Sequence, residues 1–385
     1  MNRAYRIVWS AARQAWIVAS ERAGCGGRPP LAVKNVAGAI LLLGMTGTAV
    51  AATYDESQVT YYEPLTLNSG DIANSAVVSE GGTLNVNSGG LASSSNVGGD
   101  YLFGYYAPTI NVNNGGVATD TSVTSGGHLF VNNGGSATHT TVNAGGYINV
   151  SSGGTALSVT QLSGGALQTT TGATVSGTNA LGAFSVSGGL ASNVLLENGG
   201  FLNVQNGQSA ADTTIRLGGT LQVYDGGTAT HVVQSSGGAL QTYTGATVSG
   251  TNALGAFSVS NGLAQNLLLE NGGALYVENG DSAVSTTLMS NGTLTVYQGG
   301  TATDVAQSSG GALRAYTGAT VSGTNTLGAF SISDGEAKDL LLENGGFLVV
   351  QTGHSASDSV INWGEPNMLK AVVLLSAPRS ILMAS

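Results

Sequence analysis

The chain has a single cysteine in 385 residues, Cys25, and only six prolines. Charge is scarce too: 8 % of residues are Asp, Glu, Lys or Arg, against roughly 25 % in an ordinary soluble domain. One cysteine excludes a disulfide framework and a cysteine-ligated zinc cluster. Of 11 basic residues, six (Arg3, Arg6, Arg13, Arg22, Arg28 and Lys34) lie within the first 34 positions. Beyond Lys34 the chain has five basic residues against 20 acidic ones. Such a body repels phosphate backbones and anionic membranes, so nucleic acid is excluded as a partner. The four histidines (His128, His139, His231 and His354) show no metal-ligand spacing such as H-x-x-x-H, and they read as surface residues. Neither a G-x-S-x-G nucleophile turn nor a G-x-x-x-x-G-K-[ST] phosphate loop occurs. The residues therefore assign no catalytic, cofactor-binding or metal-binding position, and no cofactor is expected.

What is present in excess is glycine, 60 residues, together with Ser, Thr, Asn, Val, Leu and Ala. Apolar residues make up 42 % of the chain, too many for the polar, highly charged composition of disorder.

The first 52 residues stand apart. A basic stretch, "MNRAYRIVWSAARQAWIVASERAG", precedes the uncharged run "VAGAILLLGMTGTAVAA" from Val36, which closes on small residues. Basic region, apolar region and small-residue ending make a secretory signal peptide, with cleavage expected at Ala51 and Ala52. The apolar run falls short of the ~20 residues that a transmembrane helix needs.

The rest is repetitive, and repeats decide the fold before any motif does. "SGGALQTTTGATVSGTNALGAFSVS" begins at Ser163 and returns, slightly changed, at Ser236 and Ser309, 73 residues apart each time. Inside lies a finer period. Gly126, Gly145 and Gly164 are 19 apart, as are Gly199, Gly218 and Gly237. The template reads G-G-x-φ-x-V-x-x-G-G-x-A-x-x-x-φ, with φ apolar. Leu129/Val131, Ile148/Val150, Leu202/Val204 and Leu221/Val223 are each spaced by two, the period of a strand with one face inward. Ala137, Ala156, Ala210 and Ala229 follow at a fixed offset and suit an inward site with little room. A 19-residue unit buries too little alone, but stacked units cover one another. The expected fold is all-β, a right-handed parallel β-helix (solenoid) of 19-residue repeats, with successive strands pairing in parallel. Outward Thr, Ser, Asn and Gln would form polar ladders along it.

Two stretches also carry a resemblance. Ile7–Ser10 and Gln14–Glu21, in the I-V-W-S and Q-A-W-I-V-A-S-E pattern, resemble the extended signal peptide of large Gram-negative autotransporters. The 19-residue units, with "GATVSGTNALGAFSVS" and "NVLLENGG", resemble the repeats of AIDA-type, self-associating autotransporter adhesins. The resemblance implies export through the inner membrane to the periplasm, with display at the cell surface or outer membrane in the intact family member. It further implies a non-enzymatic passenger for adhesion, autoaggregation or biofilm growth, with like passengers or host and abiotic surfaces as partners. The expected domains are the extended signal peptide 1–52, an N-terminal cap region 53–78, the β-helix 79–364 with its long units from 163, 236 and 309, and a non-repeat tail 365–385. After Gly364 only 21 residues follow, whereas a transmembrane barrel needs eight or more strands of about ten residues. The chain is thus expected to stop before a translocator barrel. Two alternatives remain open, a non-functional remnant of such an adhesin and a secreted polysaccharide-acting β-helix enzyme. The insertion "DYLFGYYAP" supplies the one candidate contact patch, Tyr101, Phe103, Tyr105 and Tyr106, which reads equally well as a packed cap over the N-terminal coils.

Overall fold

The structure, a computed structural model, describes residues 5–10, 15–20, 51–99, 106–362 and 372–375. It divides into two units, Met1–Thr48 and Ala49–Ser385. In the first, Tyr5–Ser10 and Ala15–Ser20 pair antiparallel. The second is a solenoid of short strands, and the described residues include no helix.

One coil explains the rest. His128–Val131, Ser136–Thr138 and Thr141–Val142 form three strands, which we call faces one, two and three. The next coil lies on it in parallel register 19 residues on: Leu129 opposes Ile148, Val131 opposes Val150, and Ala137 opposes Ala156. These side chains are fully buried. The apolar and alanine columns therefore point inward as the spacing of two requires.

The Gly-Gly pair at each turn serves two needs. Gly134 holds φ +74°, and a Cβ on Gly135 would sit 2.3 Å from the Val112 oxygen of the coil beneath. The first glycine supplies the backbone angle and the second the close approach. At the corner between faces two and three, His139 takes φ 52°, and Asp120, Asp212 and His231 hold the same conformation in their coils. That left-handed residue adds a step to the alternation, so Thr140 and Val142 face inward after Ala137. The last apolar column hence falls one residue later than the sequence template places it, on Val123, Val142 and Ile215. Asparagine ladders run outside: Asn87 donates to Asn68 at 3.1 Å, Asn113 to Asn87 at 2.9 Å, and Asn132 to Asn113 at 2.9 Å.

The 35-residue spacer of each long unit is not purely parallel. Thr174–Asn179 lies parallel on Thr155–Gln161, but Gly182–Ser187 folds back antiparallel and Leu190–Ser192 reverses again before rejoining Ser209–Ala211. The same hairpin recurs at Thr247–Ser260 and Thr320–Ser333. Its tip is set by Asn179, whose Oδ1 accepts the Leu181 N–H at 2.8 Å and whose Nδ2 donates to the Asn193 oxygen at 2.9 Å. Meanwhile face one runs without interruption from Ala166–Thr170 to Phe201–Val204. Hairpin strands thus extend faces two and three where face one gains none.

Two polar devices, one buried and one partly buried, recur beside each hairpin. Gln161, Gln234 and Gln307 occupy the inward column of face three. Gln234 Nε2 donates to the oxygens of Gly238 (2.9 Å) and Leu268 (3.0 Å), carbonyls that would otherwise be buried and unpaired. Glu197, Glu270 and Glu343 accept the backbone N–H of Gly164, Gly237 and Gly310 at 2.7, 2.9 and 2.7 Å.

The ladder begins earlier and continues later than the repeat pattern. Thr53–Asp55 pairs in parallel with Ile72–Asn74, and that strand with Leu91–Ser93; the segment expected as a cap region thus carries the solenoid's own pairing. Within 365–385, Val372–Leu375 pairs in parallel with Phe347–Val350.

Candidate functional surface

The interior is closely filled by aliphatic columns, with buried Thr, Gln and Phe among them, so any contact with a ligand must use outward side chains. Two Asp–His pairs sit at the left-handed corners, Asp120 with His139 at 3.9 Å and Asp212 with His231 at 3.4 Å, all four largely exposed. Each is two groups in solvent with no nucleophile held against them, and among the described residues no three His, Cys, Asp or Glu gather to hold a metal ion.

Aromatic side chains are arranged otherwise. At the N-terminal end Tyr106 lies 4.7 Å, centroid to centroid, from Tyr61, which meets Tyr62 edge-on at 5.3 Å. Tyr62 is 75 % exposed and Tyr106 47 %. Tyr106 is thus an exposed member of a real cluster; Tyr101, Phe103 and Tyr105 lie outside the described residues. The sequence reading missed Tyr61 and Tyr62, which lie more than one coil earlier in the chain, because only folding brings Tyr61 to Tyr106 and Tyr62 to Tyr61. Ala51 is exposed, and the Ala52 N–H donates to Asp71 Oδ1 at 2.8 Å, directly before the first solenoid strand.

On face one, His128, Phe130 and Tyr147 pack ring against ring, with centroids 4.9 to 5.9 Å apart. Burial lowers the pKa of His128 and raises that of Tyr147. Farther along, Tyr224, Tyr243 and Tyr276 stack in adjacent coils, at 6.1 and 4.6 Å. Tyr297 and Tyr316 follow at 6.0 Å, and Phe347 meets Tyr316 edge-on at 6.3 Å. This stripe was not read from the sequence. The 19-residue separations of Tyr224 from Tyr243 and of Tyr297 from Tyr316 were the available signal.

Beside the stripe lies an open groove of about 740 Å³, lined by Glu278, Asn279, Tyr297, Gln298, Tyr316 and Gln351 among others. Gln351 Nε2 donates to Gln298 Oε1 at 2.9 Å, holding the two amides together at its wall. Glu278 and Tyr297 directly follow the paired Val277 and Val296 of adjacent coils. Burial, with Asp225 and Asp281 nearby, raises the pKa of Glu278.

Two family models match the chain. Residues 111–165, 176–238, 249–311 and 322–368 match the family described as adhesin of bacterial autotransporter system, probable stalk. Residues 1–50 match the extended signal peptide of the type V secretion system. The chain is 59 % identical over 111 residues to the autotransporter CRAC of Citrobacter rodentium, covering 29 % of this chain and 7 % of that protein. It is 58 % identical over 41 residues to the autotransporter adhesin/invasin TibA of Escherichia coli O78:H11, covering 11 % of this chain and 4 % of TibA. The chain therefore spans a small part of the length of these relatives. A crystal structure of a TibC-catalysed, hyper-glycosylated TibA fragment aligns over 85 % of this chain and 98 % of that fragment, at 29 % identity and a TM-score of 0.34. The coil built from a 19-residue template, repeated behind an export leader, places this chain in the stalk family of bacterial autotransporter adhesins.

Proposed function

We propose that the solenoid is the stalk-forming passenger of an exported surface adhesin that works by contact rather than catalysis, through self-association with like passengers or attachment to host or abiotic surfaces. The observation that carries this reading is the repetition itself. Successive coils can line up hydroxyls and amides in rows, as in the Asn68–Asn87–Asn113–Asn132 ladder. A single neutral contact is weak, but a rod repeats it, and simultaneous contacts multiply affinity by about 10²–10⁴. Processing at Ala51 and Ala52 would start the mature chain at Thr53, the first residue of the ladder.

The test is to display the chain on a non-aggregating bacterium through a translocator barrel and to follow settling and surface attachment. Faster settling or attachment than barrel-only cells is expected. Unchanged behaviour in both assays would overturn the adhesin reading. Turnover of a polysaccharide by the purified chain would overturn the non-enzymatic one.

A further inference from the structure

The open groove beside Tyr297 and Tyr316 joins aromatic, amide and carboxylate side chains on one outward surface. It crosses the successive face-one strands Ala274–Val277, Thr293–Val296, Ala312–Tyr316 and Phe347–Val350. Phenol rings form one wall and the Gln298–Gln351 amide pair another. Glu278 supplies a carboxylate with no Lys or Arg partner among the described residues. Arg314, on the strand that carries Tyr316, is already engaged: its Nε donates to the Gly345 oxygen at 3.0 Å, and its guanidinium lies 6.0 Å from the centre of the Phe347 ring. Between Ala51 and Asn362 the only Lys or Arg residues are Arg216, Arg314 and Lys338, so the chain has few cations to offer the groove.

We propose that this groove binds an amino-sugar polymer, a chain of linked pyranose rings carrying protonated amines. The charge complementarity is direct: an ammonium group in the groove meets the half-buried Glu278 carboxylate, which has no Lys or Arg partner among the described residues, and gains a charge-assisted hydrogen bond. The amides of Asn279, Gln298 and Gln351 match ring hydroxyls, and the tyrosine rings offer apolar surface to pyranose C–H groups. Stacked coils advance by about 4.8 Å, so a linear polymer laid along the axis passes Glu278, Tyr297 and Tyr316 in successive coils. A lysine-rich peptide would satisfy the carboxylate but has no use for the ring and amide walls. A neutral glycan would leave the carboxylate uncompensated. This inference deepens the adhesin reading by giving one face a ligand class, and it rests on that reading for its biological setting.

The experiment is isothermal titration of the purified full chain with a glucosamine hexamer, its fully N-acetylated counterpart and hexalysine. The glucosamine hexamer is expected to bind, and the other two to bind about tenfold more weakly or less. The variants E278Q and Y297A/Y316A should each lose about tenfold in affinity, whereas Tyr62→Ala, in the N-terminal cluster, should change nothing. Melting curves check the fold, and if Y297A/Y316A unfolds, E278K still decides because it reverses the charge at an outward position. Equal binding of hexalysine would reduce the site to an acidic surface and overturn the proposal. Equal binding of the N-acetylated hexamer, or no binding of the amine, would overturn it as well. Binding in a chain that neither aggregates cells nor attaches them would sink the adhesin reading and leave the groove standing. Aggregation without binding would do the reverse.

Discussion

The repeated string "GATVSGTNALGAFSVS" contains a glycine whose replacement should be felt throughout its hairpin. Gly250 opposes Phe257 across the antiparallel pair and Val232 on the parallel strand beneath. A Cβ on Gly250 would lie 2.1 Å from the Val232 oxygen and 2.8 Å from its carbonyl carbon. The obstacle is backbone, fixed by the ladder, so no side-chain rotation relieves it. Phe257, only 3 % exposed, sits where glycine leaves room. In G250A the two strands must separate, which costs the ~1–3 kcal/mol of an overpacked core and part of the ~3–5 kcal/mol held by a buried Phe. We expect about 3 kcal/mol for the hairpin.

A stacked solenoid need not unfold in one step, so the assay must be local. Hydrogen exchange of residues 247–260 should accelerate by about a hundredfold in G250A, while the coils around Leu129 and Ile148 keep their protection. G177A and G323A should behave alike, since their Cβ positions fall 1.9 and 2.1 Å from the oxygens of Val159 and Val305. Adding F257A to G250A should not restore protection, because the clash is with Val232. Unchanged exchange of the hairpin in G250A would refute this account of why glycine stands there.

Other perturbations probe other parts of the rod. Gln234→Ala strands the carbonyls of Gly238 and Leu268 and should cost about 1–3 kcal/mol by urea unfolding, with faster exchange confined to the second hairpin unit. Asn113→Ala removes one bond to Asn87 and one from Asn132 and should cost about 1–2 kcal/mol, whereas Asn113→Gln should cost less if its amide rejoins the ladder. Glu278 has a folded-state pKa above its ordinary 4.5, so the folded chain holds that proton more tightly and its ionisation opposes folding. E278Q should therefore raise the melting temperature at neutral pH, with the gain disappearing below pH 4.5; a gain that persists there would contradict the sign. His128 works oppositely, since burial lowers its pKa, and its contribution should fall as the pH drops below its ordinary value of 6.5.

The inward half of this fold was legible because each coil repeats one constraint. Leu129 and Val131 have a spacing that only an extended strand with one buried face satisfies, and Ala137 marks where the cross-section narrows. The hairpins were not legible, because alternation in "ATVSGT" and "AFSVS" is the same for parallel and antiparallel partners. Their direction is set by the Asn179–Gly182 tip, whose hydrogen bonds become visible only when folded. The last apolar column was misplaced by one residue because the left-handed corner at His139 is silent in a hydrophobicity pattern. The tyrosine stripe was hidden by register. Gln241 pairs with Ala274 and Tyr243 with Tyr276, so residues 33 apart become neighbours and a search for period 19 passes over them.

The three long units also show where function is written. Their face-one apolar columns keep one residue in each copy: Leu167, Leu240 and Leu313, Leu202, Leu275 and Leu348, Val204, Val277 and Val350, all buried. Their outward residues at equivalent places are not: Thr170, Tyr243 and Tyr316, or Asn203, Tyr276 and Val349. At the groove the contrast carries charge, because Gln205 and Gln351 stand in the first and third copies where Glu278 stands in the second. Stacking holds the interior to one solution, whereas solvent-facing positions change at little cost to stability. A rod built this way can present a different surface at each repeat without altering its frame. The groove takes Glu278 and Tyr297 from the second copy and Tyr316 and Gln351 from the third, and Tyr224 and Tyr243 stand 73 residues before Tyr297 and Tyr316. Gln205→Glu, which puts a carboxylate at the place equivalent to Glu278, should therefore add a second amine-binding site, read as a rise in stoichiometry by titration.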